Sequence, residues 1–305
     1  MMLFSLLASS ALVLGTSTAA APSNGTTNVC TDPVTRQEWR QLSPQQRDSY
    51  IKAVQCLATR PSRLGLSTTL YDDFAYVHNQ LNDEVHSVAS FLPWHRYFVH
   101  VDEQALRECG YEGSTTYWDW TLDSSDPSHS PIWDPETGFG GNGSPRQYTG
   151  SGRRPHCLGR DFNNGTDQVG DMLGYAYTPK AIAEINALDD YDSFRVKLEG
   201  RPHGAIHSAI GGIWCLGRRR TVHPIFFLHH TQIDRLWWLW QQEKPDTRNT
   251  DYGGFKTQDQ LDGTTSPPAS LDDILPMRGL ADDRPVRELM LTESELLATG
   301  ISWFS

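Results

Sequence analysis

Pro224-Ile225-Phe226-Phe227-Leu228-His229-His230, followed by Ile233-Asp234-Arg235-Leu236-Trp237, sets two histidines at the head of an apolar, aromatic run. The periodicity predicts a helix over 229–243 that carries His230 in its first turn. A second stretch of the same kind lies far upstream: Ser90-Phe91-Leu92-Pro93-Trp94-His95-Arg96, in which His95 opens a helix predicted over 94–109. Working outward, His78 sits in Phe74-Ala75-Tyr76-Val77-His78 on a helix predicted over 71–82, and His86 lies in the segment after it. His203 and His207 form H-x-x-x-H within a helical region over 190–210. Residues four apart on a helix lie one turn apart on one face, so both imidazoles can reach one ion.

The rest of the chain fits a helical centre carrying long loops. Helical spacing runs through 36–59, with Ser43-Pro44 as a start signal, and returns over 179–188. Between 123 and 170 Gly, Pro, Ser, Asn and Asp predominate, which reads as loop. The expected architecture is mainly α: a four-helix bundle from segments near 72–82, 94–109, 201–209 and 229–242.

Composition bounds the function. The 305 residues are 38% hydrophobic and 21% charged, ordinary for a globular domain. A net charge of -11 speaks against nucleic acid and anionic membrane surfaces as partners. The apolar run Leu3–Leu14, with small residues at Ala19-Ala20-Ala21, reads as an export signal over 1–21, leaving 22–305 as one catalytic domain. No later stretch is long and apolar enough to span a bilayer. The acceptor triplets at Asn24, Asn142 and Asn164 fit a secreted glycoprotein. Cys30, Cys56, Cys109, Cys157 and Cys215 then allow two disulfides and one leftover thiol, with the pairing open. Their wide spacing argues against a zinc–thiolate cluster.

The histidines carry the chemistry. A lone histidine on a half-apolar helix is more often structural than a ligand, and H-x-x-x-H alone is a weak signal. Gly204 stands where a zinc protease would need Glu, which removes that reading. Two histidine triads in apolar settings are a stronger pattern. Imidazole suits copper, zinc, iron and nickel, and three neutral nitrogens leave a metal one open position. A di-iron bundle would carry Glu-x-x-His pairs, and the chain has none. Copper is preferred on ligand type.

At these residues the sequence resembles the tyrosinase and catechol oxidase family. Ser90–Arg96, with His86 nine residues before His95, resembles its first copper motif. Pro224–His230 with Ile233–Trp237 resembles its second. The likeness runs from about Cys30 to Trp240 and includes Tyr117-Trp118-Asp119-Trp120. The resemblance implies two copper ions, one held by His78, His86 and His95 and the other by His203, His207 and His230. It implies His229 as a neighbour of the second site rather than a ligand, and Glu199 as the residue that holds a water there. Read on its own, Glu199 is a helix-face carboxylate one turn before a ligand. Asp234, one turn after His230, either orients a ligand or pairs with Arg96 or Arg235. Phe91, Trp94, Phe226 and Phe227 read as core. Histidines 100, 129, 156 and 223 match no ligand position.

Three departures qualify the implied activity. Glu84 stands where many members carry a cysteine crosslinked to the second ligand. Gly204 replaces an Asn that helps the retained water deprotonate monophenols, and Ser208 follows His207. His223 replaces the usual Asp before Pro224. The expected reaction is therefore oxidation of o-diphenols to o-quinones, with O2 reduced to water. The alternatives are a tyrosinase that also hydroxylates monophenols, a hemocyanin-like oxygen carrier, and an exported binding protein with structural histidines. The Gly211-Gly212 stretch and the loop to Thr221 are expected at the substrate mouth. Thr231–Ser305 is expected to be too short for a C-terminal lid domain.

Overall fold

A computed structural model describes residues 34–140, 172–210, 223–258, 265–294 and 296–297, with the short stretches 147–148, 156–157, 162 and 302–303. The export signal, the three glycosylation triplets, the Gly211–Thr221 mouth, and the side chains of Cys30, Cys157 and Cys215 lie outside the described residues.

The described helices are α1 (Pro44–Leu57), α2 (Leu70–Gln80), α3 (Asn82–Val85), α4 (Phe91–Glu108), α5 (Pro179–Asn186), α6 (Tyr191–Leu198), α7 (Gly204–Ile210), α8 (Ile225–Glu243) and α9 (Pro245–Arg248). The strands are short and pair in twos: Thr35–Arg36 with Ser302–Trp303 in parallel, and Gln147–Tyr148 with His156–Cys157 and Ile274–Leu275 with Arg284–Pro285 antiparallel. The chain is thus mainly α, with α2, α4, α7 and α8 carrying His78, His95, His207 and the pair His229–His230.

Helix starts follow local chemistry. Ser43 accepts from the Gln46 N–H while the Gln46 side chain returns to the Ser43 N–H, and Pro44 fills the first position. Thr69 and Asp72 repeat the reciprocal cap at α2. Two starts differ from the sequence expectation. Helix α4 begins at Phe91, not 94, because Pro93 falls in the first turn, where backbone N–H groups have no intrahelical partner to lose. Helix α8 begins at Ile225, and the Ile225 N–H donates to His223 Nδ1 at 3.2 Å. His223 therefore supplies the acceptor an Asp would supply there, which accounts for that departure.

The region 190–210 is one helical run interrupted by a π-helical turn, Glu199–His203, around Pro202. Pro202 lacks an N–H, and the widened turn accommodates the break.

Packing closes the bundle. Helices α4 and α8 lie side by side, with Phe98 stacked on Phe227 at 5.7 Å and Phe74 of α2 edge-on to both. Asp234 of α8 accepts from Arg96 of α4 at 2.5 Å and from Arg36 at 2.9 Å, and the Arg96 guanidinium lies 3.6 Å from the Trp237 ring centre. The disulfide Cys56–Cys109 joins the end of α1 to the end of α4. No described helix is long and apolar enough to cross a membrane.

Candidate metal centre

The first histidine group combines three elements. His78 lies in the last turn of α2, His86 directly follows α3 in extended backbone, and His95 stands in the second turn of α4. One ring nitrogen from each lies within 4.8 Å of the others. His95 Nε2 is 3.4 Å from His78 Nε2. His95 Nδ1 sits 2.7 Å from the Phe91 carbonyl and His86 Nδ1 3.0 Å from the Asn82 carbonyl. A carbonyl only accepts, so each Nδ1 carries the proton and each Nε2 keeps its lone pair for a metal. The early start of α4 is what puts the Phe91 carbonyl one turn below His95.

The second group gathers His203, His207, His229 and His230 within the same 4.8 Å limit. His203 Nδ1 lies 3.1 Å from the Glu199 carbonyl, so its Nε2 is likewise the free position. His207 Nε2 is 2.8 Å from His203 Nε2. His230 is fully buried, and neither of its ring nitrogens has a hydrogen-bond partner among the described residues. Buried polar atoms without partners are costly, and a bound cation would satisfy a nitrogen here. The two groups face each other, with the His95 and His230 rings stacked 4.2 Å apart at 9°.

Burial keeps these rings neutral, which is the metal-binding form. It lowers His78 to about 3, with help from nearby His86. It pushes His95, His203, His207 and His230 well below the usual histidine range, and the crowding of imidazoles adds to the effect.

Apolar rings wall the site. Phe91 lies 4.8 Å from both His95 and His203, and Phe226 lies 4.2 Å from His230 and 4.9 Å from His78. Sequence reasoning placed both in the core. They are buried there, and they also shape the surroundings of both histidine groups.

Glu199 is nearly buried beside the second group. Its Oε1 accepts from the Ser87 N–H at 2.6 Å and its Oε2 from Arg195 Nη1 at 3.0 Å. Burial raises its carboxyl above the usual range, and these two donors hold it back. Ser87 follows His86 and adopts left-handed backbone, φ 59°, rare for a residue other than glycine. The Glu199 carboxylate and carbonyl thus tie the His86 segment to His203. Neither Ser87 nor Arg195 was legible in the sequence. The only signal was the i, i+4 spacing of Arg195 and Glu199.

The other expected residues fall as follows. Gly204 borders the group. Among the described residues a Cβ placed there would meet the Glu199 carbonyl, at an ordinary 3.5 Å. Asp234 binds two arginines, so the pairing alternative holds and the ligand-orienting one does not. Its partners are Arg96 and Arg36, while Arg235 lies near Asp119. Glu84 is exposed and pairs with Arg278. His100 and His223 are buried outside both groups, and His129 is exposed beside Asp126.

The nitrogen-only donor sets fit soft or borderline metals rather than calcium or magnesium, and no carboxylate belongs to either group. Comparisons with known proteins agree. The family model "Common central domain of tyrosinase" matches residues 68–243, a span that holds all seven clustered histidines. The tyrosinase-like protein phomQ1' of Diaporthe leptostromiformis is 41% identical, over 90% of this chain and 82% of that protein. The tyrosinase ustQ of Aspergillus flavus is 38% identical, over 88% of this chain and 79% of its own. A polyphenol oxidase structure from Thermothelomyces thermophila superposes with a TM-score of 0.75 at 27% identity, covering 90% of this chain and 89% of that one. Two facing histidine groups on a mainly helical bundle, a family model over more than half of the chain and relatives near 40% identity place this protein in the tyrosinase family of type-3 copper oxidases.

Proposed function

We propose that the chain is a secreted dicopper oxidase that converts o-diphenols to o-quinones while reducing O2 to water. His78, His86 and His95 would hold one copper, and His203, His207 and His230 the other. The observation that carries this reading is the facing of the two groups, with Nε2 the unprotonated atom in His86, His95 and His203. Copper is favoured over zinc because the reaction of the family is an electron transfer, and bound copper would supply the one-electron redox steps linking phenol to O2.

The chain's own residues do the rest. The carbonyls of Phe91, Asn82 and Glu199 orient three imidazoles. Phe91 and Phe226 set apolar rings against both groups, and an apolar wall would favour electron transfer to O2 over side reactions. Glu199, fixed by Ser87 and Arg195, would hold a water near the second site. Gly204 offers that water no side-chain partner, so deprotonation of a monophenol lacks one of its supports. The cleaved signal over 1–21, a single domain over 22–305 and N-glycans at Asn24, Asn142 and Asn164 belong to the same proposal.

The test is copper counted per chain, with a catechol and its matching monophenol assayed side by side under O2. Two coppers and quinone from the catechol alone are expected. Comparable turnover of the monophenol would make the enzyme a full tyrosinase. Reversible O2 binding without turnover would favour an oxygen carrier, and absence of copper would sink the proposal.

A further inference from the structure

The second group contains one histidine too many. A metal with an open position needs three ligands, yet His203, His207, His229 and His230 all bring a ring nitrogen within 4.8 Å of the others. Burial does not choose between the neighbours His229 and His230, because both are fully buried. Hydrogen bonding does. Trp120 Nε1 donates to His229 Nδ1 at 3.1 Å. The indole N–H is a donor and nothing else, so His229 Nδ1 must supply a lone pair. A neutral imidazole has one such nitrogen and an imidazolium has none. While this bond stands, His229 Nε2 therefore carries the proton and has no lone pair for a metal. His86, His95 and His203 show the opposite arrangement, with Nδ1 against a carbonyl.

We propose that Trp120 is a positioning residue: its indole N–H holds His229 in the Nε2–H tautomer, keeps that ring off the second metal, and so preserves a three-histidine site with an open position.

The surroundings of Trp120 support the assignment. Its indole is fully buried and lies on the 3-10 turn Trp120–Asp123. The chain just before it is fastened to α8 on both sides of His229. The Trp118 N–H donates to the Leu228 carbonyl at 3.2 Å, and Gln232 Nε2 donates to Asp119 Oδ1 at 2.9 Å. Asp119 also accepts from the Thr121 N–H and hydroxyl, which sets the turn. The segment Tyr117-Trp118-Asp119-Trp120 is thus docked against the helix that carries the surplus histidine. The inference rests on the copper reading, but the tautomer can be read without copper.

The test is histidine-selective 15N NMR of the metal-free and Cu(I)-loaded protein, both diamagnetic, with His229 assigned by His229→Asn. In the wild type a protonated Nε2 and a bare Nδ1 are expected in both forms. Trp120→Phe keeps the ring and deletes the N–H. It should let the proton move to Nδ1 and the Nε2 signal take a metal-induced shift. Catechol turnover should fall about 10–100-fold, as when other partners of metal-binding histidines are lost. The double variant Trp120→Phe/His229→Asn removes the competing ligand and should recover most of that loss. A bare Nε2 on wild-type His229 overturns the inference. So does a Trp120→Phe protein whose His229 tautomer is unchanged, or whose lost turnover the second substitution fails to restore. A protein that takes up no copper would defeat the proposed function while leaving the metal-free tautomer to decide on Trp120.

Discussion

At the scale of single residues, the histidines were legible because only their own type can do their work, and spacing from apolar motifs marked them. Glu199 was legible by resemblance, while its partners were not. A backbone N–H at Ser87 has no signature, and Arg195 lies in a stretch of ordinary helix-face charges. Asp234 shows the reverse failure. Its spacing after His230 fits a ligand-orienting role, but Arg96 and Arg36 compete for the same two oxygens and win. Gly204 makes a sharp prediction at this scale. Among the described residues a Cβ there would stand 3.5 Å from its nearest neighbour, the Glu199 carbonyl oxygen, an ordinary contact. Gly204→Asn should fold normally and add a hydrogen-bonding group beside the Glu199 site. Its monophenol-to-diphenol activity ratio should rise on the order of tenfold or more, a modest share of what a positioned proton acceptor contributes. An unchanged ratio in a fully copper-loaded variant would show that this position does not govern monophenol chemistry.

At the scale of elements, periodicity located the four ligand-bearing helices but misplaced two of their starts. Pro93 and Pro224 look like helix boundaries in sequence, and here each sits where a missing N–H costs nothing. The π-helical turn at Glu199–His203 was invisible for a related reason: widening around Pro202 leaves the H-x-x-x-H spacing unchanged. What holds α4 against α8 is a buried charge cluster in addition to apolar packing. Asp234 faces Arg96 and Arg36, and all three side chains are almost wholly buried. Removing one member of a buried ion pair strands the others, at roughly 3–5 kcal/mol. Asp234→Asn, similar in shape but uncharged, should therefore lower Tm on the order of 10 °C for a domain of this size. Differential scanning calorimetry at neutral pH checks it. A shift of a degree or less would mean that aromatic packing alone sets the spacing of these helices.

At the scale of the whole molecule, the segment after α8 closes over the bundle through main-chain acceptors. Trp94 donates to the Pro276 carbonyl, Tyr97 to Asp282, and Arg96 to Leu289 and Met290. Such contacts leave no trace in sequence, because any residue can offer a carbonyl, and this part of the chain read only as mixed. A buried group about two turns along α4 from His95 bears on global stability. Asp102 on α4 is buried, beside Glu103 and facing Tyr50, with one carboxylate oxygen lacking a hydrogen-bond partner among the described residues. Burial, and then the charge of Glu103, push its carboxyl well above the usual range. A carboxyl raised in the folded state keeps its proton where the unfolded chain releases it. Its stabilising share is full below the unfolded value, about 4, and is lost as pH rises toward the folded one, at up to about 1.4 kcal/mol per pH unit. Asp102→Asn cannot ionise and escapes that loss. The variant should match or trail the wild type near pH 4 and exceed it near pH 7, with the gap in Tm widening between them. A gap that stays constant across that range would mean that Asp102 ionises alike in both states, and that the cost of its burial is met by neighbours not recognised in the fold.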